Sequence, residues 1–483
     1  TSKKFTIFRS MTVSPCSAEF FVYNKQLYQF LEKKQAYCIK NNCTQIASIA
    51  LEIDSVDPLV VFGKLATFDR LNFYWESPSK KQAIAAIGAV TKFEVEGKER
   101  FSEAEKFIKF NLSRIINFCN ENNFFTNPSF FCSFSFFDTN LQQNYPFSPA
   151  TIFLPRFQVT RKDERCILRA NIQIDRDLNI ENYLQSLWCK IADINNLKYD
   201  FISLNDSKPK FIKNSIAKSS KFKRSVLSAL EDIRKGDYTK IVLADALNIQ
   251  SIAPLNLFKS LNNLRQLHPN CCIFSTSNGK GQNFIGASPE TLIAIHNQKL
   301  TTDALAGSAA RGKTPAEDAK IANTLLSSDK ERHEHSLVID FITQKLLSLG
   351  LLPQVSTPRL RQLSNIQHLW TPIAAKVPRD VHPLQIVAQL HPTPAVAGVA
   401  PEVACQEIRR YESFERGLYA APLGWIDSEG NCEFVVGIRS ALIDNNSQSS
   451  LLYAGAGIVP GSDPEKEFAE IQLKLQALLK ALT

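Results

Sequence analysis

Apolar runs of strand length, set off by polar breaks, give the first 205 residues their texture and constrain the fold more than any other feature. Val60-Val61-Phe62, Phe73-Tyr74-Trp75 and the run from Ser129 to Phe137 predict strands. Between them, Glu103 to Asn120 predicts a helix, with Phe107, Ile108, Phe110, Leu112, Ile115, Ile116 and Phe118 on helical spacing. Strand-rich stretches separated by single helices point to the α+β class with a large antiparallel sheet. The chain carries 33 Phe against 1 Met, which implies large aromatic cores. No residue types that do chemistry stand at recognisable spacing in this half, and a scaffold role is expected for it.

The full 483 residues exceed what a single ordinary core needs. A polar, Lys/Ser-rich stretch from Asp206 to Lys223 marks the expected boundary between an N-terminal half, 1–205, and a catalytic region, 206–483. The net charge of +9, from 56 basic and 47 acidic residues, is mild over this length and argues against nucleic acid as the partner. No run approaches 18 apolar residues, so no membrane span is expected. The 11 cysteines are odd in number and hold no CxxC pair, which suits a reducing compartment. The cytoplasm is the expected location, or a plastid if a transit peptide has been removed.

The residues that can do chemistry gather in the second half. After a helix predicted over Ser225–Lys235, a strand is expected from Thr239, with Lys240, Val242 and Ala244 on one face. A lysine in that row either snorkels to water or faces a cavity. In a cavity, desolvation favours the neutral amine and makes it a general base. Glu290 follows a Ser-Pro turn in Phe284-Ile285-Gly286-Ala287-Ser288-Pro289-Glu290; alone, such a Glu is more often a surface residue. Glu331 and Glu334 share one face of a predicted helix, as do Glu467, Glu470 and Lys474 near the C-terminus. Two such pairs can converge on a hard divalent cation, Mg²⁺ or Mn²⁺. Neither pair supplies the Glu-x-x-His of a di-iron site. Arg439 sits in an apolar run expected to be strand, and Tyr453 to Ile458 predicts a strand ending in two glycines, Gly455 and Gly457. Backbone N–H groups at such glycines can hold a carboxylate.

From about Lys240 to Lys474 the chain resembles the chorismate-binding enzymes. The resemblance rests on FIGASPE, LAGSAARG, the EH pair in DKERHEH, QHLW, LHPTPAV, FERGLYAAPLGW, VGIRSAL and AGAGIVPGSDPEKEFAE, in the family's order. Members that use water, the isochorismate and salicylate synthases, have a lysine where this chain has Lys240; members that use ammonia have glutamine there. Ammonia is already a nucleophile, whereas water needs a base. Aminodeoxychorismate synthases carry a lysine nucleophile before the loop glycine, where this chain has Ala306. The loop departs from the family's usual pattern in having Ser308 after the glycine instead of threonine, which keeps the hydroxyl.

The resemblance implies an isochorismate synthase using Mg²⁺, with salicylate synthase as the alternative and the ammonia-using synthases further off. It implies an α+β fold of two large, mainly antiparallel sheets packed together, helices outside, and the site in a deep cleft. Lys240 is the implied base and Glu290 the acid. Glu334 and Glu470 are the implied metal ligands, supported by Glu331 and Glu467. Gly307, His368, Tyr419, Arg439, Gly455 and Lys474 are the implied substrate contacts. The implied partner is chorismate alone, bound by a monomer without a glutaminase subunit; quinone, salicylate and siderophore pathways all stay open.

Overall fold

The computed structural model describes residues 18–119, 127–142, 145–197, 211–215, 219–363 and 366–482. Among these, eleven α-helices and twenty strands alternate, and every strand pairing is antiparallel except that of β1 (Gln45–Ile53) with β4 (Ile115–Phe118). The class is α+β and the sheet structure mainly antiparallel, as expected.

Two long strands, β3 (Gln82–Val95) and β6 (Ala150–Lys162), form the root from which two arms diverge. One arm runs from β3 through β2 (Asn72–Ser77), β10 (Cys272–Ser277), β11 (Gln282–Ser288), β19 (Ser440–Asp444) and β20 (Ser449–Ile458) to β9 (Ile241–Ser251). The other runs from β6 through β5 (Ser129–Phe134), β17 (Pro422–Asp427), β18 (Cys432–Val436), β12 (Thr291–His296) and β13 (Lys299–Ala310) to β16 (Ile366–Lys376). Phe274 and Phe284 of the first arm and Ile293 and Phe434 of the second belong to one apolar core. Strands from before residue 206 pair directly with strands from after it, β2 with β10 and β5 with β17.

Helix α8 (Asp329–Ser348) packs on β13 of one arm, and helix α11 (Pro464–Leu482) packs on β20 of the other. Ser328 caps α8, its hydroxyl accepting from Glu331 N, so the register of the acidic face is fixed at the first turn. The two acidic helices thus reach the same cleft from different arms.

Several local expectations are corrected. Val60-Val61-Phe62 lies in helix α2 (Pro58–Leu65), because Asp57 caps Leu59 N and Pro58 occupies the first turn. The helix expected to Asn120 ends at Leu112 in α3 (Arg100–Leu112), and β-branched Ile115 and Ile116 start β4 instead. Within the expected linker, residues 206–210 and 216–218 lie outside the described residues. Phe211–Ser215 forms β8 against β9, and α5 (Ser219–Lys235) begins earlier than predicted. Arg439 is not in a strand: it stands at the break before β19 with φ of +51°, a left-handed conformation that a non-glycine residue takes only when its surroundings hold it there.

Candidate active site

Lys240 lies one residue ahead of β9. Its backbone is held by the segment after the α9 helix (Pro383–Leu390): Val399 N donates to Lys240 O at 3.1 Å and Val242 N to Ala397 O at 2.7 Å. The side chain is completely buried, and Nζ donates to Glu334 Oε1 at 2.7 Å. Gly457 of β20 makes this contact sterically available, since a Cβ there would come within 2.8 Å of Glu334 Oε1 and 3.4 Å of Lys240 Cε.

Beside this pair opens a cleft. Of the twelve residues singled out from the sequence, eleven line it, namely Glu290, Gly307, Glu331, Glu334, His368, Tyr419, Arg439, Gly455, Glu467, Glu470 and Lys474. Lys240 reaches the cleft through its bond to Glu334 and does not itself line the wall.

Glu290 stands between β11 and β12. Its carbonyl accepts from Val436 N at 3.1 Å, and its own N–H donates to Ser288 Oγ at 3.2 Å, so the turn is pinned on both sides. Burial, and then the neighbouring Asp303 carboxylate, push its carboxyl up to about 8 against the pull of Lys240 and Arg361. A carboxyl in that range carries a proton at neutral pH.

Gly307 forms a bulge in β13: Ala306 pairs with Leu369 and Ser308 with His368, leaving Gly307 unpaired at φ +79°. The bulge turns the chain toward α8, where Ser308 N donates to Glu331 Oε2 at 3.2 Å. Ser308 Oγ lies 2.9 Å from His368 Nδ1, and Arg439 Nη2 lies 3.2 Å from His368 Nε2. Burial, then Arg439 and Lys474, hold His368 well below the usual imidazole range. Because a guanidinium can only donate, Nε2 accepts and the ring proton sits on Nδ1. Arg439 Nη1 is buried with no hydrogen-bond partner. Across from it, Lys474 Nζ donates to Gly455 O at 2.7 Å and pairs with Glu470 at 2.7 Å.

The four glutamates of α8 and α11 act on one another. Burial, then Glu470, push Glu467 up to about 7, with Lys330 and Ser462 opposing; burial, then Glu334, raise Glu331. Like charges gathered in a poorly solvated wall are short of a cation. Among the described residues no three His, Cys, Asp or Glu side chains already form a closed metal cage. The donor set nevertheless suits Mg²⁺, which keeps waters and takes one or two carboxylates from the protein.

The sequence marks Gly457 for carboxylate binding and leaves out its steric role beside Glu334, and it gives no sign of Asp303 and Arg361. Gly457 was visible as the second glycine of its strand; the other two act from neighbouring strands and left no local signal.

Residues 30–483 match the family model described as chorismate binding enzyme. Isochorismate synthase MenF of Bacillus subtilis (strain 168) is 30% identical over 454 residues, which cover 91% of this chain and 94% of that protein. The salicylate biosynthesis isochorismate synthase of Pseudomonas aeruginosa is 39% identical over 259 residues, 53% of this chain and 54% of that protein; this match spans about half of either length. The solved structure of MenF, the menaquinone-specific isochorismate synthase from Escherichia coli, superposes with a TM-score of 0.77 at 26% identity, covering 91% of this chain and 95% of that one. Anthranilate synthase component I from Streptococcus pneumoniae, at 19% identity and a TM-score of 0.66, shares the fold alone. The chain belongs to the chorismate-binding enzyme family.

Proposed function

We propose that this chain is an isochorismate synthase, converting chorismate to isochorismate with Mg²⁺. The observation that carries the reading is the meeting of a buried lysine, Lys240, with a buried glutamate, Glu290, whose carboxyl is raised by that burial. Lys240 takes a proton from water as the water oxygen bonds to ring C2. The ring double bonds shift, the C4–O bond breaks, and the proton of Glu290 passes to the departing oxygen, which leaves as water. Acid and base are thereby separate groups.

Glu334 and Glu470 are the residues that would hold Mg²⁺, with Glu331 and Glu467 supporting its water shell. The bound ion supplies positive charge for the ring carboxylate. Arg439, together with Tyr419, Lys474 and the backbone at Gly455, orients the substrate's carboxylates, and neutral His368 stands near the ring carboxylate. Gly307 leaves room for the ring. The first 205 residues serve as scaffold, since β2 and β5 each complete an arm of the sheet. The protein acts in a reducing, cytoplasmic setting as a monomer without a glutaminase; all ten described cysteines are free, and no described helix is long and apolar enough to cross a membrane.

Incubation with chorismate and Mg²⁺, with and without ammonium, tests the reading. Isochorismate as sole product, unchanged by ammonium, is expected from Lys240 and Ala306. Anthranilate, or salicylate with stoichiometric pyruvate, would overturn it.

A further inference from the structure

The acid of this reaction is backed by a polar network of side chains that do not themselves line the cleft. Strands β12 and β13 pair as far as Ala294 with Thr301, and there the ladder ends. On its other side, β12 carries an irregularity against β18 between Thr291 and Ile293. The backbone therefore splays where Glu290 enters the cleft. The N–H of Thr291, the residue after Glu290, lies beyond the last rung and donates to a side chain, Asp303 Oδ2, at 3.3 Å. Asp303 is held in turn: Trp370 Nε1 donates to Oδ1 at 2.7 Å, and Arg361 Nη1 donates to Oδ2 at 3.0 Å. Arg361 comes from β15 (Arg359–Gln362), and its guanidinium lies 5.3 Å from the centre of the Trp370 ring. The three donors converge on one carboxylate that touches neither the cleft nor the acidic helices.

We propose that Asp303 is a positioning residue for Glu290, bridging the splayed strands at Thr291 and placing a negative charge behind the acid, with Arg361 as the counterweight. The inference rests on the assignment of Glu290 as the acid. The charged groups acting on Glu290 are Asp303 from β13, Arg361 from β15, and Lys240 from the start of β9. Asp303 favours the protonated carboxyl; Arg361 and Lys240 favour the ionised one. The proton that the departing hydroxyl needs is kept on Glu290 at neutral pH partly because Asp303 outweighs Arg361. Asp303 is thus a determinant of the pH range over which the enzyme works.

The test is the pH profile of kcat/KM for chorismate, measured on the full chain with saturating Mg²⁺. Asp303→Asn keeps an acceptor for Trp370 and removes the charge; the alkaline limb should move to lower pH by roughly one unit, the scale of a nearby unit charge. Arg361→Gln should move the same limb to higher pH. A merely structural role would lower the rate at every pH and leave the limb in place, so shifts of opposite sign are the signature. Arg361 is partly exposed, its side chain 23% accessible, so that variant carries the test if Asp303→Asn does not fold. An alkaline limb unmoved in a folded variant, with wild type active and bell-shaped, would overturn this inference alone. A wild type that forms no isochorismate would overturn the functional reading beneath it.

Discussion

Lys240 Nζ donates to Glu334 Oε1 at 2.7 Å, joining the proposed base, fully buried, to a proposed metal ligand at the edge of the cleft. A lysine amine can keep an N–H on this carboxylate while its lone pair takes a proton from water, so the bond to Glu334 orients the base. The arrangement also explains why a lysine is tolerated at that depth: its buried Nζ ends on a carboxylate. Lys240→Gln should cut turnover by roughly 10²- to 10⁴-fold, the usual size of a general-base effect. Chorismate binding, followed by calorimetry, should survive. Turnover near the wild-type rate would mean that the lysine serves only to balance Glu334.

Glu290 predicts two pH effects with worked signs. Its carboxyl is raised from 4.5 to about 8, so kcat/KM should fall as pH rises through that value and the acid loses its proton. The same shift bears on stability. A raised folded-state value means that the contribution is fully present below about 4.5 and lost as pH climbs through 8. Glu290→Gln, which never ionises, should therefore melt higher than wild type at pH 8.5 and show little such advantage at pH 4.5, read by scanning calorimetry. An equal difference at both values would contradict the assignment.

The carboxylate wall predicts a graded response. Glu334→Gln and Glu470→Gln should each abolish Mg²⁺-dependent turnover, because a site with few protein ligands cannot spare one. Glu331→Gln and Glu467→Gln should cost roughly 10- to 100-fold, typical of groups that orient ligands. Wild type that keeps full activity in EDTA would sink the metal assignment.

Gly457→Ala tests the geometry without replacing a charged group. The added Cβ would sit 2.8 Å from Glu334 Oε1, the movable end of a flexible side chain. The fold should hold, with a melting temperature close to wild type, while turnover falls at least about tenfold as Glu334 is displaced. Unchanged turnover would show that Glu334 has latitude the mechanism does not allow.

The parts of this site that were legible in the sequence are those with short-range periodicity. Two ExxE spacings on helices, a Ser-Pro turn before Glu290 and a glycine beside Ser308 each carry their geometry within a few residues. Arg439 was misread as strand because its neighbours are apolar; its left-handed backbone follows from contacts with β11 and the Gly437 turn, which no local pattern encodes. Val60 to Phe62 has strand propensity, which the Asp57-Pro58 helix start overrides. The Asp303–Arg361–Trp370 network was out of reach for another reason. It depends on where the β12–β13 ladder stops, a property of strand pairing.

The central claim is that water, activated by Lys240, becomes the C2 hydroxyl while the C4 hydroxyl departs with the proton of Glu290. Turnover of chorismate in oxygen-18 water, with the product resolved by mass spectrometry and carbon NMR, tests this most directly. The account predicts isochorismate carrying one oxygen-18 atom, located at C2, and loss of this labelled product in Lys240→Gln. Isochorismate formed without label, as an internal hydroxyl migration would give, would contradict it.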